Sequence, residues 1–222
     1  MTSPLEILRV DPLAFVLLAA ALILAIALHE YGHALAADLQ GDRLPRAMGR
    51  LSLNPARHLD PVGTIFIFLV GFGWGKPVEF RPQALASKRF GAAIVALAGP
   101  MMNLLLAIAA AFAYVLLFGT SALSSDILVS RGGEVSDAIQ IFLRIFLDLN
   151  VLLAVFNLVP VPPLDGSRLL TIFLPPSKQK VIYWLDKWGF LLLLGLLFFG
   201  GFALFSPFID AVEGFVKSIA GA

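Results

Sequence analysis

The sequence predicts an α-helical polytopic membrane protein: about four transmembrane helices plus one short re-entrant or strand-like segment, in a single membrane-embedded domain over residues 1–222. Three observations predict it. Of the 222 residues, 59% are hydrophobic and 14% charged, against about 45–50% and about 25% in soluble domains. The excess falls in blocks that reach the roughly 20 apolar residues a bilayer crossing needs. The basic residues, finally, gather in particular connections between those blocks.

The first block covers residues 13–37. It is longer than the about 7–15 residues of a signal-peptide core, and Glu6 and Asp11 flank Arg9 where a purely basic leader would be expected, so it reads as a retained helix. The second, 90–118, has no charged residue. The third, 138–159, carries Arg144 and Asp148 one helical turn apart. The fourth, 181–205, is uncharged from Trp188 onward. Between the first two blocks lies "VGTIFIFLVGFGWG" (62–75), too short to span as a helix and rich in Gly, Phe and Ile. It reads as strand-like or re-entrant, or as a loop resting on the membrane; backbone without regular structure at membrane depth needs cover from protein or a watery cavity. Residues 120–137 form a polar loop, and the tail from Ser206 reads as a short amphipathic helix at the interface.

Basic residues near helix ends favour the cytoplasmic side. The 41–89 connection holds Arg43, Arg46, Arg50, Arg57, Lys76, Arg81, Lys88 and Arg89, and the 166–180 connection holds Arg168, Lys178 and Lys180. The 120–137 loop has only Arg131, the N-terminus only Arg9 and the tail only Lys217. The expected arrangement is a multi-pass protein of the cell membrane with both termini extracytoplasmic. The net charge of +1 gives no reason to expect a nucleic-acid partner.

The first block ends in "LHEYGHALAAD" (28–38). An ionisable group at mid-helix costs about 2.5–3.5 kcal/mol on insertion scales, so such groups face a cavity, a partner or a metal. His29 and His33 are one turn apart on the same helix face, and Glu30 lies beside them. This is the H-E-x-x-H arrangement in which two imidazoles hold zinc and a glutamate takes a proton from water. A hydrogen-bonded pair between helices, or an ion pathway, would use the same residues. The chain has no cysteine, so any metal must be held by His, Asp or Glu. Asp165 follows the proline-broken end of the third block, on the same membrane side as the two histidines, at the depth where a third ligand is needed. Its local alternative is to cap a helix starting near Ser167.

The motifs "HEYGH", "AGPMMN" (98–103) and "FNLVPVPPLDG" (156–166), with "LNPARHLDPVGT" (53–64) and "GFGWGKPV" (71–78), resemble the site-2 protease family of intramembrane zinc metalloproteases, in its short prokaryotic branch without PDZ or CBS domains. The resemblance runs from about residue 12 to 207. It implies one metalloprotease domain with one zinc ion per chain, held by His29, His33 and Asp165, Glu30 as the base, and an active site near the cytoplasmic face. It implies a polar role for Asn103 at the oxyanion, beside the helix–helix bonding any mid-helix amide seeks. Asn157 either orients substrate or caps its own helix end. His58 reads as a spare ligand, a supporting group or a surface histidine. The expected partners are the bilayer and a membrane-protein substrate with a transmembrane helix. Within "TIFIFLV" (64–70), Phe68 is a candidate substrate contact, the segment offering a strand edge to an unwound substrate. A metal transporter would use the same ligands without needing Glu30, and a silent helix-binding scaffold would need none of them.

Overall fold

The structure is a computed structural model and describes residues 4–70, 73–123, 135–173, 179–199 and 202–221. Ten helices follow in chain order: α1 (Pro4–Val10), α2 (Pro12–Leu39), α3 (Leu44–Ala47), α4 (Pro61–Val70), α5 (Lys88–Phe118), α6 (Thr120–Leu123), α7 (Val135–Asn157), α8 (Gly166–Phe173), α9 (Gln179–Phe198) and α10 (Phe202–Ile219). Single 3-10 turns at Pro55–Arg57 and Pro82–Ala84 bracket the long connection between α2 and α5. Among the described residues there is no sheet, only an isolated bridge between Leu59 and Gly75.

Among the described residues, three helices are long and apolar enough to cross a membrane: Pro12–Leu39, Phe90–Phe118 and Ser136–Asn157. They form the centre of the molecule, each packed on the other two. Their contacts are made by small residues. Ala21, Ala25, Ala34 and Ala37 of α2 are buried, and Gly32 lies so close to α5 that an added Cβ would come within 2.8 Å of the Ala98 carbonyl oxygen. Without a hydrophobic gradient between lipid and protein, such close approach is what holds membrane helices together. Large apolar side chains point outward instead: Leu116 is 85% exposed and Val16 59%. The fourth expected segment is largely α9, 20 residues long, which meets the rest of the chain where Gly189 lies against Pro162.

The tail is helical, as expected, and is docked on the bundle. α10 packs against α7 and α5, and Val216 and Ala220 are buried with Ala107, Ala111, Tyr114, Leu147 and Val151. An ion-pair network ties it down: Arg144 contacts Asp148 at 3.1 Å and Glu213 at 3.2 Å, and Lys217 contacts Glu213 at 2.6 Å.

Residues 61–70 are helical, so the strand-edge reading of 64–70 is overturned. Asp60 caps the helix: its side chain accepts from the Gly63 N–H at 2.8 Å, and Pro61 follows at the first helical position, where a missing N–H costs nothing. α4 sets out from beside the C-terminal half of α2 and reaches α1 near the start of α2. By Gly75 the chain is back against Ile26. The β-branched residues of the segment lose to the requirement that backbone in an apolar layer satisfy its own hydrogen bonds.

Candidate metal centre

His29 and His33 stand on α2 within the contact between α2 and α5. Both are 7% exposed. Each imidazole uses Nδ1 to bind a fixed acceptor on α5. His29 donates to Asn103 Oδ1 at 2.5 Å, and His33 to the Val95 carbonyl at 2.7 Å. These bonds set the tautomer, which turns both Nε2 lone pairs inward. Pro100, one turn beyond Val95, has no N–H for the carbonyl of Ala96, which loosens α5 at this level.

Asp165 reaches the same point from the far end of α7. The chain turns through Pro160, Pro162 and Pro163 and enters α8 at Gly166, packed so tightly on the Leu158 carbonyl that no side chain would fit there. This closure carries Asp165 back to the histidines. Its Oδ2 lies 3.0 Å from His29 Nε2 and 3.2 Å from His33 Nε2, and the two Nε2 atoms are 3.1 Å apart. All three ligand atoms lie within 4.8 Å of one another.

This donor set fits zinc. Tetrahedral zinc with bonds of about 2.0–2.2 Å separates its ligands by about 3.3–3.6 Å, slightly wider than the triangle here. Two nitrogen lone pairs and a carboxylate oxygen this close repel one another unless positive charge lies among them. Asp165 shows the same preference. Burial alone would push its carboxyl up, but hydrogen bonds from His29, then His33, when the imidazoles carry protons, hold it below the usual carboxylate range. Space for an ion is kept by Gly99: a Cβ there would lie 2.5 Å from His33 Cε1 and 2.6 Å from His29 Cε1.

Glu30 stands beside the triangle without joining it. Its Oε2 accepts from the Val78 backbone N–H at 3.1 Å. Asn103 is fully buried, and its donors go to the Ala25 carbonyl (3.3 Å) and Asn150 Oδ1 (2.8 Å). With its oxygen on His29, the amide's capacity is spent on holding the ligand, and none is directed at an oxyanion. Asn150, itself fully buried and donating to the Phe146 carbonyl at 2.7 Å, is a residue the sequence reasoning passed over. The signal was present, since an amide inside an apolar span has to find a partner. Asn157 donates to the Leu153 carbonyl at 3.0 Å, the capping alternative. Phe68 lies in α4, and its side chain is outside the described residues. His58 is neither on the surface nor in the triangle: it is fully buried and its Nε2 donates to the Ser52 carbonyl at 2.7 Å.

Fold and site together define a membrane-embedded helical protein whose spans bring an H-E-x-x-H pair and an aspartate to one metal-sized centre. Residues 17–196 match peptidase family M50, and the chain belongs to that family. Among curated proteins it is similar to YwhC of Bacillus subtilis (strain 168), named as a candidate zinc metalloprotease, with 36% identity over 177 residues covering 79% of this chain and 77% of that one. It is likewise similar to Rip2 of Mycolicibacterium smegmatis, a candidate zinc metalloprotease by name, with 33% identity over 190 residues covering 82% and 67%. Rip2 of Mycobacterium tuberculosis is 34% identical over 183 residues, covering 78% and 64%. No solved structure gives a significant match.

Proposed function

We propose that His29, His33 and Asp165 hold one zinc ion and that Glu30 carries the proton in peptide-bond hydrolysis within the membrane. As a member of family M50 the chain is an intramembrane zinc metalloprotease, acting on membrane-protein substrates in a bilayer. The observation that carries the assignment of roles is the convergence of three ligand atoms from α2 and the α7–α8 turn, with Glu30 beside them and outside the triangle.

Zinc bound there supplies a Lewis acid for the scissile carbonyl and brings the pKa of water toward about 7. The protein's own groups do the rest. Glu30 accepts a proton from the attacking water and returns it to the leaving amine nitrogen. Asn103 and Val95 keep the imidazoles in one tautomer and orientation through both steps. A substrate helix must unwind before its carbonyls are open to attack. With 64–70 helical, the edge that would receive the unwound stretch is the non-helical segment 73–81, which passes Glu30 at Val78.

The positive-inside pattern supports a site near the cytoplasmic face and both termini on the opposite side. His33 precedes the C-terminal end of α2 by six residues, about 9 Å along the axis, so water has a short path to the site.

The test is cleavage of a single-span substrate by purified wild type and Glu30→Gln, with zinc measured in both. Loss of cleavage with zinc retained is expected. Zinc-dependent flux through vesicles that is indifferent to Glu30→Gln would assign the same ligands to transport instead.

A further inference from the structure

Val78, the partner of Glu30, is 48 residues away in sequence, and something must keep it in place. It lies in segment 73–81, which crosses α2 so closely that a Cβ at Gly75 would come within 2.8 Å of Ile26 Cγ2 and 3.4 Å of Glu30 Cγ. Sheet pairing does little to hold this segment. Its ladder is the single Leu59–Gly75 bridge, with Lys76 N–H donating to the His58 carbonyl at 2.7 Å.

Two buried side chains from the connection after α2 hold it instead. Arg50 is 3% exposed, and its guanidinium donates to the carbonyls of Arg57 at 2.6 Å, Lys76 at 3.1 Å and Pro77 at 3.3 Å. Asp42 is fully buried and accepts from the Arg81 backbone N–H at 2.5 Å and its guanidinium at 2.7 Å. Val78 stands between these two clamps.

Burying a guanidinium is unfavourable unless its donors are satisfied. The planar five-donor fork of arginine can reach carbonyls on two chain segments together, which a lysine ammonium does less well. Here the fork fixes residues 76 and 77, immediately before the amide that meets Glu30. We infer that Arg50 is a positioning residue for the hydrolytic reaction. By pinning 76–77 it holds the Val78 N–H on Glu30 Oε2, and so sets the plane of the carboxylate that moves the proton. With both ends of the segment clamped, 76–81 is a fixed shelf and not a lid. The inference rests on Glu30 being the proton carrier.

The experiment compares wild type, Val78→Pro, Arg50→Met, Arg50→Lys and Glu30→Gln as full chains purified in detergent. Zinc content, kcat and KM are measured on one single-span substrate. Val78→Pro removes the N–H donor, at the cost of a fixed φ at 78, and leaves the Arg50 side chain in the protein. Val78→Pro and Arg50→Met should keep zinc while kcat falls by about tenfold to a hundredfold, whatever change in KM accompanies it. Arg50→Lys should recover part of the loss. A kcat within about twofold of wild type in Val78→Pro or Arg50→Met overturns the inference. So does a change confined to KM, which would make the shelf a substrate-binding element only. So does loss of zinc together with activity in Arg50→Met, which would make Arg50 a residue of the fold. If Arg50→Met does not fold, Val78→Pro and Arg50→Lys decide alone. Full activity in Glu30→Gln would instead sink the proton-carrier reading, whatever the Arg50 variants do.

Discussion

At the scale of single residues, the site depends as much on atoms that are missing as on the ligands. His29 and His33 were legible because their spacing is a local property of a helix, and because membrane burial removes the solvated-face explanation of a polar pair. The bonds that support them were not, since Asn103 and the Val95 carbonyl meet them across 74 and 62 positions of sequence, and Asn150 reaches them only through Asn103. Gly99 shows the point best. Gly99→Ala removes no ligand, and the groups in the way are imidazole tips that can swing aside. The protein should therefore fold with unchanged helix content, while zinc per chain falls severalfold and cleavage falls with it. Normal zinc content in Gly99→Ala would show that the imidazoles have slack. Protonation acts on the same atoms. Both Nε2 atoms must be unprotonated to hold a metal, so acid should release zinc as protons compete for them. Equilibrium dialysis across pH measures this directly; zinc retention indifferent to acid would argue for ligands other than imidazoles.

At the scale of elements, the joint between α7 and α8 delivers the third ligand. Its sequence announced it: prolines that end a helix, then Asp-Gly at the start of the next. What the sequence did not show is why glycine follows the aspartate. Gly166 lies on the Leu158 carbonyl, and that contact folds the α8 start back onto the α7 end. Backbone cannot swing aside as an imidazole can, so Gly166→Ala should displace Asp165 from His29 and His33. Zinc affinity should drop by more than tenfold, comparable to disturbing a ligand's supporting contacts, with α2 and α5 intact; unchanged affinity would mean that the turn is pliable. The misjudged element, 61–70, had its correct signal in plain view. Asp60-Pro61 is a helix N-terminus by capping chemistry, but the run of Thr, Ile and Phe behind it suggested a strand. Propensity is a weak guide where the surroundings offer no water to a free strand edge.

At the scale of the whole molecule, hydropathy and charge were enough for the membrane class and for the positions of the long apolar helices, because both follow from composition along the chain, whereas their mutual packing does not. The docking of α10 was not legible, since its partners on α5 and α7 are set by tertiary contact. That docking bears on topology. Arg144 lies six residues before Asn150, about 9 Å further along α7 from the metal, so Glu213 and Lys217 sit toward the end of the bundle away from the site. A reporter fused after residue 222 should therefore read as extracytoplasmic when the site faces the cytoplasm; a cytoplasmic signal would require an odd number of crossings. The same ion pairs carry a consequence for how the chain is made. Arg144 emerges from the ribosome 69 residues before Glu213. For that interval its long-term partner does not exist, and a lone cation in an apolar span is costly. Asp148, on the next turn of the same helix, is available at once. It is a counterion synthesised four residues later, covering the charge before the last helix arrives and sharing it with Glu213 afterwards.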